Sequence, residues 1–107
     1  MPNTDKIHAL NDAFRTTLHG RGRVMLTQGV LDRPDCDAIL EAVQHFDAFD
    51  ESNDPYAEHD FGSVRAGEDT VFWKIDYYNP DFSAGSEDPA DENKTSRILT
   101  VMMAVDY

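Results

Sequence analysis

A chain of 107 residues holds one domain and buries one core, so no second domain is expected within residues 1–107. It carries 21 acidic against 9 basic residues, a net charge of −12, which argues against nucleic acid or anionic lipid as a partner. There is no run of about 18 apolar residues to cross a membrane, and the single Cys36 has no partner for an internal disulfide; both features lead us to expect a cytoplasmic protein.

In chain order, Ile7, Leu10, Phe14 and Leu18 fall three and four apart and predict a helix over 4–18. Thr4 is its expected N-cap, and Gly20 and Gly22 its expected stop. Residues 23–27 read as a short strand, after which Gly29 punctuates the chain. Pro34 suits the first position of a second helix over 34–49, with Ile39, Leu40, Val43, Phe46 and either Phe49 or Ala42 facing inward. Two strands follow over 60–66 and 70–78 around the turn at Ala66-Gly67-Glu68-Asp69.

The second of these strands alternates cleanly. Val71, Trp73, Ile75 and Tyr77 belong to a core face, and Phe72, Lys74, Asp76 and Tyr78 to the opposite one. Phe72, Lys74, Asp76 and Tyr78 then form either an open recognition face or one on which a loop, with 79–94 the candidate, covers Phe72. Residues 95–106 fit either a helix or a strand by periodicity; their β-branched content favours a strand beside 70–78. The order helix, strand, helix and three strands predicts an α+β fold, with two helices packed on one face of a small, mainly antiparallel sheet.

The charge is unevenly placed. Residues 47–92 hold fourteen Asp and Glu against only Arg65 and Lys74. The candidate partner-binding set is Asp50, Glu51, Asp54, Glu58 and Asp60 from the first acidic loop and Asp81, Glu87, Asp88, Asp91 and Glu92 from the second, with Lys74, Asp76 and Tyr78 of the strand between them. DNA carries one charge per about 1.7 Å of axis, so carboxylates gathered on one surface could occupy a basic, DNA-handling partner. A solvated acidic surface is the plainer explanation of the same composition.

A rival reading is a small enzyme with an acid–base or metal site at Glu58, His59 and Asp60, in which Glu58 or Asp60 orients His59 and Lys74 or Tyr78 assists. No nucleophile elbow or phosphate-binding glycine loop accompanies it, and Gly20-Arg21-Gly22-Arg23 is too short for one. A calcium loop starting at Asp50 fails, because Pro55 stands where glycine is needed and Phe61 where glutamate is needed. No cofactor or metal is expected. His8, His19 and His45 read as ordinary helix or loop residues.

Several segments together carry a resemblance: Asn11-Asp12-Ala13-Phe14-Arg15, Gly22-Arg23-Val24-Met25-Leu26-Thr27, Asn53-Asp54-Pro55-Tyr56, Glu58-His59-Asp60-Phe61-Gly62, the strand Val71 to Tyr78, Asp88-Pro89-Ala90-Asp91, and Arg97-Ile98-Leu99-Thr100 with Tyr107. In this order they resemble DUF3768, a bacterial domain-of-unknown-function family of small stand-alone proteins frequent on plasmids and other mobile elements. The resemblance implies a bacterial cytoplasmic protein and brings no activity, cofactor or catalytic residue. An inhibitor of a host defence protein is the matching expectation from that genomic setting.

Overall fold

The computed structural model describes residues 3–107. Helix α1 spans Thr4–Thr17, strand β1 Gly22–Leu26, the short helix α2 Gln28–Leu31 and helix α3 Cys36–Gln44. Strands β2 (Phe61–Ala66), β3 (Asp69–Tyr78) and β4 (Ser96–Met103) complete the chain, with 3₁₀ turns at Glu92–Lys94 and Ala104–Asp106. The sheet order is β1-β4-β3-β2. Only β1 and β4 run parallel, so the sheet is mainly antiparallel and the fold is α+β, as the pattern predicts.

The core lies on one face of this sheet. Val71, Trp73 and Ile75 of β3 meet Leu99 and Val101 of β4, and all five are buried. Phe14 of α1, Val30 of α2 and Ile39 and Val43 of α3 close over them. Burying a side chain of this size contributes about 1.5–3 kcal/mol, so this cluster is the main source of stability. Two glycines make the packing possible. A Cβ at Gly62 would lie 2.6 Å from the Trp73 indole nitrogen, and one at Gly22 would lie 2.1 Å from the Arg97 carbonyl oxygen across the parallel pair.

Four local expectations change. Leu18, not glycine, closes α1: it takes a left-handed φ of 58°, and its N–H reaches the Phe14 carbonyl at 2.7 Å. Asn3 rather than Thr4 occupies the N-cap position. Gly29 lies inside α2 instead of breaking the chain, because a side chain there would press on Met103. Helix α3 begins after Pro34 and stops at Gln44, five residues before the predicted end.

Arg15 explains that early stop. It reaches across from α1, and its Nη1 donates to the carbonyls of Val43 and Gln44 at 2.9 and 3.2 Å, satisfying acceptors that a helix end leaves open. Phe46 and Phe49 then turn edge-on to Trp73, with ring centres 5.5 and 6.1 Å away. They join the core from a loop rather than from a helix.

The opposite sheet face is only partly covered. Phe72 packs on Phe61 and Tyr107, with ring centres 5.3 Å away in each case, so Tyr107 shields it and not the 79–94 loop. That loop instead brings Phe82 beneath Arg23, 4.2 Å from guanidinium carbon to ring centre.

Candidate functional site

Both acidic loops leave from the same end of the sheet. Phe61, the first residue of β2, pairs with Lys74 in the second half of β3, which runs on past it toward Tyr78. Tyr78, the last residue of β3, pairs with Ser96, the first of β4. The segment entering β2 and the segment joining β3 to β4 are therefore neighbours by topology.

A buried network joins them. Asn11 of α1 is fully buried, and its Nδ2 donates to the Glu58 carbonyl at 2.9 Å and to the Tyr77 hydroxyl at 2.8 Å. Its Oδ1 accepts from Arg97 Nε at 2.6 Å. Arg97 donates in turn to the Pro89 carbonyl at 2.6 Å, and the Tyr77 hydroxyl donates to the Glu58 carboxylate at 2.8 Å. Asparagine fits because the site needs two donors and one acceptor on one short side chain. Burial pushes the Tyr77 phenol far above its ordinary range, and the bond to Glu58 adds to the rise.

A second cluster clasps the first loop to α1. The His59 Nδ1 donates to Asp12, 2.9 and 3.0 Å from its two oxygens, and Nε2 faces Asp54 at 3.5 Å. Phe49 stacks on one side of the imidazole at 3.8 Å between ring centres, and His8 stacks on it at 4.5 Å. The backbone is forced to fit: His59 takes a left-handed φ of 57°, with its amide donating to Asp54 Oδ1 at 3.1 Å. Such conformations cost about 1–3 kcal/mol and persist only where the surroundings fix them.

This geometry does not gather Glu58, His59 and Asp60 into a catalytic group. Glu58 is engaged by Tyr77, and the carboxylates that reach His59 are Asp12 and Asp54. A carboxylate stands near each ring nitrogen and aromatic rings stack on the imidazole, which leaves His59 with Asp12 and Asp54 rather than Glu58 and Asp60 as neighbours. A groove of about 470 Å³ beside it is lined by Asp12, Arg15, Gln44, His45 and Phe49. Among the described residues, no three His, Cys, Asp or Glu side chains are placed to hold a metal ion.

The candidate carboxylates divide into two groups. Asp50, Glu51, Asp81, Glu87 and Glu92 are exposed, as is Asp47. Asp54 is buried, so it is not available as outward charge, and Glu58, Asp60, Asp88 and Asp91 are half-buried. Burial raises the Asp60 carboxyl above its usual range, and nearby Glu58, then Asp54 and Asp76, raise it further. Asp50 is held below that range by the Ser52 hydroxyl and the Asn53 and Ser52 amides, and Asp81 by the Ser83 hydroxyl and amide. Among the described residues, the one ion pair that the six exposed acids make with a lysine or arginine is Glu87 with Lys94, at 3.6 Å.

On the open sheet face Lys74 pairs with Asp76 at 2.9 Å, and Tyr78 lies 6.2 Å from Phe82 between ring centres. Loop 79–94 is internally bonded: the Asn79 side chain accepts from the Ser83 amide, Asp88 from Ala90 and Asp91 from Asn93. Asn11, Asp12, Arg15 and Arg97 were absent from the candidate set. A signal for two of them exists in sequence. Asn11 falls beside the apolar stripe of α1, and Arg97 alternates with Leu99 and Val101 on the core face of β4.

No helix among the described residues is long and apolar enough to cross a membrane. No curated protein and no solved structure matches the chain. The model of one family, described as Protein of unknown function (DUF3768), matches residues 4–106, nearly the whole length and every element of the fold. The chain therefore belongs to the DUF3768 family.

Proposed function

We propose that this protein is a non-enzymatic binding module whose acidic end occupies a basic surface on a protein partner. The observation that carries the reading is the common origin of the two acidic loops, tied together through Asn11 and Arg97, with exposed carboxylates left almost unneutralised by the chain's own cations. Turns that fix Asp50 and Asp81 in their ionised form reduce the ordering cost of binding. A nucleic-acid-binding or defence protein is the partner of matching chemistry, and a bacterial cytoplasm, with carriage on a mobile element, is the matching setting. Direct contact with nucleic acid or with anionic membrane is opposed by the net charge of −12.

The test is affinity capture from a bacterial lysate, with duplex DNA and salt as competitors. The partner should elute with either competitor and should be lost when Asp50, Glu51, Glu87 and Glu92 are reversed to lysine. A partner retained at about 1 M salt, where screening reaches about 3 Å, or retained by the charge-reversed variant, would overturn the reading.

A further inference from the structure

On the side of α1 away from Asp12 lies a separate cavity of about 400 Å³, between that helix, the turn at Gly20 and the end of the second acidic loop. Arg97 forms part of its lining and is only 4 % exposed. Its acceptors are both neutral, the Asn11 amide oxygen and the Pro89 carbonyl, and it also lies 5.3 Å from the Tyr77 ring centre. No carboxylate among the described residues forms a close ion pair with it, and Glu92 and Glu58 act on it only from longer range, although a buried charge is ordinarily paired directly. The Nη1 atom is neither hydrogen-bonded to a described residue nor among the polar atoms sealed from solvent without a partner. Nη1 therefore keeps contact with solvent, and Arg97 lines this cavity. Arg21, whose Nη1 donates to the Asn93 carbonyl at 3.0 Å, and the side chain of His19 stand at the same cavity, and Leu10, Ala13 and Phe14 give it an apolar wall.

We propose that this cavity binds a small organic monocarboxylate with a short apolar tail, its carboxylate meeting Arg97 and Arg21 and its tail lying against Leu10, Ala13 and Phe14. The volume falls in the range of small-molecule sites, about 300–1,000 Å³. A guanidinium presents paired donors that match a carboxylate. Glu92 also lines the cavity, and the protein as a whole is strongly acidic, so a dianion such as phosphate is disfavoured relative to a monoanion. Burial lowers the affinity of Arg97 for its proton, and a bound anion would offset that cost.

The experiment is an NMR titration of the whole protein with hexanoate, hexanol and inorganic phosphate, following the amides of Ala13, Gly20 and Thr95. Hexanoate should saturate these shifts with a dissociation constant near or below about 1 mM. Hexanol and phosphate should bind more weakly. Arg97→Ala would break the buried bonds to Asn11 and Pro89, so the variants are Arg21→Ala and Ala13→Glu, both at exposed positions. Arg21→Ala should weaken hexanoate about tenfold, and Ala13→Glu, which places a carboxylate at the mouth, should abolish saturation. Hexanol binding as tightly as hexanoate would overturn the role of the guanidinium, and phosphate binding as tightly would overturn the carboxylate assignment. Lack of saturation by any probe, or unchanged binding to Ala13→Glu, would overturn the site itself.

Discussion

Replacing Asn11 with alanine should uncouple the two acidic loops and cost about 2–4 kcal/mol. The side chain makes three bonds in a fully buried position. The bond from Arg97 is charge-assisted and contributes about 1.5–3 kcal/mol, and the one to the Glu58 carbonyl about 1 kcal/mol. Tyr77 keeps its bond to Glu58, so its share is smaller. Alanine is the better helix former, which returns about 0.6 kcal/mol. For a domain of this length the net loss lowers the melting temperature by about 10 °C or more. Asn11→Asp keeps the acceptor for Arg97 but sets a carboxylate against the Glu58 carbonyl, and it should fall between wild type and alanine. Urea unfolding followed by Trp73 fluorescence measures the loss. Amide exchange at His59, which donates to Asp54, and at Ser86, which donates to Tyr77, reports each loop separately. A loss under about 1 kcal/mol, or faster exchange in only one loop, would refute the coupling.

Other outcomes follow from single contacts. Gly62→Ala drives a methyl into the Trp73 indole and should destabilise by about 1–3 kcal/mol with a shifted Trp emission; an unchanged urea midpoint would contradict the packing. Asp60 has a raised folded-state pKa, so its contribution is fullest below the unfolded value of 3.8 and is lost as pH rises through the folded one. Asp60→Asn should accordingly stabilise the protein at neutral pH and flatten its stability between acid and neutral solution, and urea midpoints across that range check the sign. His59→Ala removes the clasp between α1 and the first loop, so proteolysis should cut near residues 50–60 while the sheet survives; uniform resistance would argue against the clasp.

Local pattern was enough for the sheet and for α1. Val71, Trp73 and Ile75 alternate, and the stripe through Ile7, Leu10 and Phe14 repeats at helical spacing, because burial on one face selects both periods. Helix α2 was hidden because four residues containing Gly29 have no period to read, and Val30 is buried by tertiary packing. The end of α3 depends on Arg15, which lies 28 residues away from the carbonyl it caps. The site is harder still. Asp12 and His59 are 47 residues apart, and Asn11 and Arg97 are 86 apart, so no motif spacing encodes their meeting. The common direction of the acidic loops follows from the β2–β3–β4 pairing and could be drawn once the antiparallel meander was accepted.

The strand last in sequence is an inner strand, flanked by β1 on one side and β3 on the other. A nascent chain therefore holds β1 without its only neighbour until synthesis has passed Met103, and the hairpin of β2 and β3 waits with a bare edge. Cooperative assembly waits until residues 96–103 have been made, since the contacts that close the sheet join them to residues 22–26 and 71–78. Premature stop codons ahead of residue 96 should thus yield fragments that quality-control proteases clear, rather than half-working products.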